Sequence, residues 1–283
     1  MCFTVPAMVN HQVLKRFSLV IEPSVSLIQE QVQNLCNKGV DAISLGSPAG
    51  KEDRLANYQR LLEGNIPVMV YCTPEYLFGP HGAISGLESV FREKLSLVVI
   101  DEAHKAIDRS KGFRDAYDGL YGFASKFHVP MLACTATLPT PWLVGLKDYF
   151  LPDVPQLILN TIARNNVTIE FEKYVYHKAK KDESPAASWK SVTDRIGGEV
   201  SGLATICFAD YQKDAKAISQ NFADAGVSAH YLVGGNMPAE ERGRLSYNPL
   251  QMGWMMHLLV ASETYECGMH NSNRNFICTS SRN

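Results

Sequence analysis

The apolar run Leu97-Val98-Val99-Ile100 is followed at once by Asp101-Glu102-Ala103-His104, so a buried strand delivers two carboxylates and an imidazole to its carboxyl end. In a parallel α/β sheet that end is where ligands bind. A metal-nucleotide site needs one carboxylate to hold Mg²⁺ through its water shell. It needs a second to orient or deprotonate the water that attacks the γ-phosphate. Asp101 and Glu102 fit those two roles.

The elements that must position these residues follow a βαβ pattern, in which short apolar runs alternate with helical periodicity. Strands are expected at 17–22, 40–45, 67–72 and 130–134 around the one that ends at Ile100. A helix entered through Pro23 and Ser24 carries Leu27, Ile28, Val32 and Leu35 on one face and stops before Gly39. Further amphipathic segments carry Leu55, Tyr58, Leu61 and Leu62, then Phe113, Tyr117, Leu120, Tyr121 and Ala124. The polar, aperiodic stretch Tyr176 to Trp189 reads as a loop near a domain junction. A second series then begins, with strands at 203–208, 227–233 and 258–262 and a helix at 213–225. The expectation is an α/β fold of two domains, residues 1–163 and 164–283, with mainly parallel sheets.

Composition narrows the class. With 283 residues, 46% hydrophobic and 20% charged, the chain can bury a sizeable core in one large domain or two ordinary ones. The formal charge is −2, from 27 basic and 29 acidic residues, so any nucleic-acid surface has to be local. Seven cysteines stand singly among apolar neighbours with no CxxC, which favours reduced core thiols over disulfides or zinc. No apolar stretch approaches the ~18 residues of a membrane span, and no targeting segment is evident. A soluble, intracellular protein with no membrane partner is expected.

The ordered segments SLVIEPSVSLIQEQV (18–32), VYCTPEYL (70–77), VVIDEAH (98–104), ACTATLP (133–139), ATICFADYQKDAKAI (204–218) and LLVASETYECGMHNSNRNFI (258–277) resemble the motor core of superfamily 2 helicases. Among these the chain looks most like the RecQ family of DNA helicases. CFTVPA at 2–7 is similar to the segment that follows the phosphate loop in that family. KAIDRSKGFRDAY at 105–117 is similar to its aromatic-rich loop, which senses single-stranded DNA. The resemblance implies two tandem RecA-like domains of the P-loop NTPase type and an ATP-dependent, 3′ to 5′ DNA helicase that uses Mg²⁺. Single-stranded and duplex DNA are the implied partners, and in a eukaryote the nucleus the implied address. No protein partner is identified.

Carried over by resemblance, Asp101 holds Mg²⁺, Glu102 polarises the attacking water, and His104 links the nucleotide site to the DNA-facing loops. Thr135 and Thr137 resemble the hydroxyl pair that ties the carboxylate loop to the interdomain cleft. Pro23, Ser26, Thr73, Pro74 and Glu75 match segments that lie along the single strand. Hydroxyls and loop N–H groups bind phosphate without a basic surface. In the aromatic loop Phe113 and Arg114 keep the family spacing. Arg109 replaces the family's tryptophan and Lys111 its histidine, exchanging stacking for charge that still contacts phosphate.

The second half matches less closely: Leu232 stands where a histidine is usual, Glu266 where glycine is, and His270 where an acid is. GxxxxGK[ST], whose backbone cradles the β- and γ-phosphates, does not occur, and neither does the arginine-bearing QxxGRxGR run. CFTVPA lies just after the phosphate loop in the family, so the expectation is a motor truncated at both ends, a fragment or a decayed copy. Its isolated ATP turnover is expected to be negligible. No zinc-binding or winged-helix appendage of the kind found in longer members of that family is expected within these residues. Two other readings stay open: a non-catalytic nucleic-acid-binding remnant, and an unrelated α/β nucleotide or metabolite enzyme.

Overall fold

Uninterrupted apolar runs make strands that are buried on both faces, the condition for a parallel sheet covered by helices on each side. The computed structural model describes residues 2–46, 51–79, 83–107, 117, 119–136, 143–146, 156, 158, 189–200, 205–209, 211–232, 258–261 and 275–279. The chain divides into two compact units, Met1–Asn160 and Thr161–Asn283. The expected boundary at 163/164 falls among residues outside that described set.

In the first unit β1 (Phe17–Ile21), β2 (Ala42–Ser44), β3 (Met69–Cys72), β4 (Leu95–Ile100) and β5 (Met131–Ala133) form a sheet in the order β2-β3-β1-β4-β5. Every pairing is parallel. All residues of β1, β3 and β4 are buried. Side chains alternate between two cores, as the period of two requires. Phe17, Leu19, Ile21, Val70, Cys72, Val98 and Ile100 face one. Leu61 of α3 (Lys51–Leu62), Leu77 of α4 (Pro74–Phe78), Phe91 of α5 (Ala83–Lys94) and Phe123 of α6 (Leu120–Phe127) close over it. Val20, Met69, Tyr71, Leu97 and Val99 face the other, beneath Ala7 of α1 (Thr4–Leu14) and Ile28 and Leu35 of α2 (Val25–Asn37).

Local signals set these boundaries. The Ser24 hydroxyl accepts a hydrogen bond from the Leu27 N–H at 3.4 Å and caps α2. Past β2, Gly46 adopts φ +87°, and a Cβ there would sit 2.6 Å from the Tyr76 ring, so both backbone angle and space require glycine. Between β1 and β4 the register slips at Phe17/Ser18, and the Ser96 hydroxyl donates to the Phe17 carbonyl at 2.9 Å across that irregularity.

What matters most for the site is how the strands end. Ile21 pairs with Cys72 on one side and Ile100 on the other, and Ile100 pairs with Ala133. Four strands therefore finish in one row. The ladder then runs one residue further. Glu22 N–H donates to the Cys72 carbonyl at 3.0 Å, Asp101 N–H to Ile21 at 2.9 Å and Cys134 N–H to Ile100 at 2.8 Å.

The second unit holds β6 (Thr205–Ala209), β7 (Ala229–Leu232), β8 (Leu258–Ala261) and β9 (Asn275–Thr279), all parallel, in the order β7-β8-β6-β9. Trp189, Cys207, Ala215, Ile218 and Phe222 form its core, the last three from α8 (Gln212–Asp224). The helix α7 (Lys190–Val200) precedes β6.

The α/β fold with mainly parallel sheets is as the sequence implies, though strand bounds shift: 40–45 contributes only Ala42–Ser44, while β4 begins two residues before its apolar run, at Leu95. Periodicity did not mark α1, because Ala7 alone is buried within it while Val5, Val9 and Val13 stay exposed. The expectation of core thiols holds for Cys72 and Cys207 and fails for Cys2 and Cys36, which are exposed, and for half-buried Cys134. Neighbouring residue types do not report which way a helix face or a turn points.

Phe91 is the centre of an aromatic cluster, with ring centroids 5.4 Å from Phe123, 5.7 Å from Phe127 and 6.0 Å from Phe17. Phe91→Ala is expected to cost about 3–5 kcal/mol in the unfolding of the first unit, read from urea titration followed by far-UV circular dichroism. A loss below about 1 kcal/mol would contradict this packing.

Candidate active site

Because β4 alternates its side chains, Ile100 points to one core and Asp101 to the opposite face, the side of α1 and α2. The same alternation in β1 puts Glu22 beside Asp101 on that face, and Tyr71 of β3 shares it. Asp101 Oδ1 accepts the backbone N–H of Glu102 at 3.0 Å. Burial raises the Asp101 carboxyl above the ordinary carboxylate range and the Glu102 charge adds to this, while hydrogen bonds from the Glu102 N–H and the Gln31 side chain oppose it.

Glu102 itself holds φ 48° and ψ 42°, the left-handed region. Three non-glycine residues among those described have positive φ, and Lys15 and His128 are helix C-caps, where this conformation is routine. Glu102 sits at a strand end, before a single 3₁₀ turn, Ala103–Ala106. There it costs on the order of 1 kcal/mol. The Ala103 N–H donates to the Cys134 carbonyl at 2.9 Å and pins that turn to the end of β5. His104 Nδ1 then lies 3.2 Å from Glu102 Oε2 and 2.8 Å from Thr135 Oγ1. A carboxylate has no proton to give, so the contact to Glu102 assigns the proton to Nδ1. Asp101, Glu102, His104 and Thr135 are thus brought together by two adjacent strand ends, β4 and β5, and one strained residue.

The other candidates fall into three groups. The Thr73 hydroxyl is buried and accepts the Tyr76 N–H at 3.2 Å as the cap of α4, with Pro74 buried at the first helical position and Glu75 exposed beyond it. Pro23 is half-buried at the end of β1, and Ser26 lies in the first turn of α2. Arg109, Lys111, Phe113, Arg114 and Thr137 lie outside the described residues, as do Glu266 and His270.

Glu22 is a member of the site that the motif reading passed over. It is fully buried, one oxygen accepts the Ser24 N–H at 3.1 Å, and the other, Oε2, has no hydrogen-bond partner. Burial first, then the charge of Asp101, pushes its carboxyl up to about 9, so it carries a proton at neutral pH. The available signal was an acid continuing a strand whose every residue is apolar or small. Cys134, the residue after β5 in the same row, has its thiol pushed up to about 12 by burial, with Cys2 and Asp101 contributing.

Asp101 and Glu102 offer hard carboxylate oxygens, a donor chemistry that suits Mg²⁺, whereas Glu22 is protonated at neutral pH and adds no anionic ligand. Among the described residues no group of three or more His, Cys, Asp or Glu side chains is spaced as a metal cage. A single carboxylate such as Asp101 could hold the ion only through its water shell. The nucleotide phosphates fit less well, since the 283 residues include no GxxxxGK[ST] cradle.

Residues 1–143 match the DEAD/DEAH box helicase family. The ATP-dependent DNA helicase Q-like 2 of Arabidopsis thaliana is 28% identical over 286 residues, covering 98% of this chain and 38% of the relative. The ATP-dependent DNA helicase RecQ of Pasteurella multocida is 23% identical over 279 residues, covering 98% of this chain and 40% of the relative. The chain therefore spans about two fifths of the length of these relatives. Among solved structures, the Mycobacterium smegmatis helicase Lhr, bound to ssDNA and AMP-PNP, superposes with a TM-score of 0.65 at 17% identity, covering 93% of this chain and 36% of that one. No described helix is long and apolar enough to cross a membrane.

A carboxyl whose folded pKa is raised contributes stability below its unfolded value, and that stability is lost as pH rises through the folded one. For Glu22 the window runs from 4.5 to about 9. The melting temperature should fall across this range, and Glu22→Gln, which keeps an acceptor for the Ser24 N–H without an ionisable proton, should flatten the fall. Equal slopes for the two proteins would show that Glu22 is not desolvated.

Proposed function

The chain belongs to the DEAD/DEAH box helicase family and is RecQ-like within it, and on that premise we propose that it forms the motor core of an ATP-dependent 3′ to 5′ DNA helicase. Residues 1–163 would be its ATP-binding domain and 164–283 its C-terminal helicase domain. The observation that supports this reading most is the common row of strand ends that groups Asp101, Glu102, His104 and Thr135.

In this reading Asp101 holds hydrated Mg²⁺, and Glu102, fixed by its left-handed backbone, orients the attacking water and accepts its proton. The bound ion supplies charge neutralisation at the triphosphate. His104 keeps Glu102 in place and, through Thr135, ties its orientation to the loop after β5, along which DNA binding would be sensed. Pro23, Ser26 and Glu75 flank strand ends where N–H groups and short polar side chains would follow a single strand, with Thr73 and Pro74 shaping the second of these turns. Arg109, Lys111, Phe113, Arg114 and Thr137 are proposed as further DNA contacts from the sequence alone. DNA as substrate fits an intracellular protein, nuclear in a eukaryote.

A second reading, nucleic-acid binding without catalysis by this chain, is favoured by one observation: neither phosphate-loop lysine nor QxxGRxGR arginine occurs in its 283 residues. Loss of an arginine finger alone costs ~10³ to 10⁵ in rate. The two readings separate in paired assays of ATP turnover and of fluorescence anisotropy with a single-stranded oligonucleotide. The expected result is binding that weakens as salt rises, with turnover at background. Steady hydrolysis stimulated by single-stranded DNA and abolished by Glu102→Gln would make the chain a self-sufficient motor. Absence of binding even at low salt would remove both readings.

A further inference from the structure

Cys2, in the turn that leads into α1, and Cys134, the first residue beyond β5, hold their sulfurs 3.7 Å apart although 132 residues separate them in the chain. A disulfide requires about 2.05 Å, so closure asks for less than about 2 Å of movement shared between two side chains. Cys134 is the anchored member. Its N–H donates to Ile100 at 2.8 Å, and its carbonyl accepts the Ala103 N–H at 2.9 Å. Cys2 is the accessible member, exposed in the turn before α1.

The asymmetry in access sets the order of reaction. Cys36, also exposed, donates its Sγ–H to the Ala42 carbonyl at 3.4 Å, and Cys72 and Cys207 are buried. We propose that Cys2 and Cys134 form a reversible dithiol–disulfide pair, closed by a hydroperoxide and opened by a thiol reductant, that locks the turn before α1 to the loop carrying Thr135. The exposed Cys2 thiolate attacks a peroxide oxygen, the O–O bond breaks, and the sulfur becomes a sulfenic acid as one water leaves. The Cys134 thiol then attacks that sulfur, and its proton leaves with the displaced hydroxide as a second water. Two thiols and one hydrogen peroxide thus give one disulfide and two waters.

The consequence reaches the catalytic row. Thr135 follows Cys134 directly and touches His104, which touches Glu102, so the crosslink stiffens the element that positions the candidate general base. It also closes a long loop in the unfolded chain, which favours the folded state. Nothing in this pairing depends on the helicase reading, because both sulfurs and their anchors belong to the first unit.

The test uses the full chain, treated with equimolar hydrogen peroxide at mildly alkaline pH, alkylated, digested without reduction and mapped by mass spectrometry. The expected product joins the peptides of Cys2 and Cys134 with loss of two hydrogens. It disappears on adding dithiothreitol and does not form in Cys2→Ser or Cys134→Ser, two conservative changes at an exposed and a half-buried site. The oxidised wild type should melt roughly 5–10 °C higher than the reduced one. Cys2 carried on to sulfinic acid, or paired with another cysteine while Cys134 stays open to alkylation, would overturn the proposal. A linked species that melts with the reduced protein would overturn it too.

Discussion

The parallel, level pairing of β3, β1, β4 and β5 is the constraint on which the site rests. Ile21, Cys72, Ile100 and Ala133 stand abreast, and the hydrogen-bond ladder continues one residue beyond them. A slip of one residue between β1 and β4 would exchange the two faces of a strand. Asp101 would leave the face it shares with Glu22, and Ile100 would leave its core. Such a slip costs several buried apolar side chains at about 1.5–3 kcal/mol each, so the core enforces the register. Hydrophobic packing on both faces is thereby converted into angstrom-scale placement of polar groups at one end.

That placement has an electrostatic consequence. Carboxyl groups gathered where water is scarce gain proton affinity: burial raises Glu22 and Asp101, with the Asp101 charge adding to the first and the Glu102 charge to the second. Such a row repels phosphate and attracts a cation. Carboxyl groups follow both β1 and β4, as Glu22 and Asp101, and the capping hydroxyls of Ser24 and Thr73 stand beyond β1 and β3 at the N-termini of α2 and α4.

Much of this was legible in the residues alone. Apolar runs bounded by Pro, Gly and Ser located the strands that build the sheet, since a parallel strand buried on both faces has little freedom in composition. Asp101, Glu102 and His104 were readable because they are contiguous. Thr135 was readable because its segment keeps a recognisable pattern. What stayed hidden depends on folding partners distant in sequence. Glu22 reads as an ordinary turn acid until β1 and β4 bring it against Asp101. Cys2 and Cys134 read as two isolated thiols until α1 and β5 converge. The helix α1 escaped because so little of it is buried that no apolar stripe betrays its period.

Glu102 and Glu22 also bear on whether the row is a working site or an incidental strand terminus. A sequence selected only for stability would avoid a left-handed glutamate outside a helix cap and a fully buried carboxyl with an orphaned oxygen. Each is locally unfavourable, by about 1–3 kcal/mol. They occur on adjacent strands, in one row, with Asp101 between them in the ladder. Two independent penalties on adjacent strands make the end of this sheet the part of the first unit where local stability is given up, which packing alone does not require.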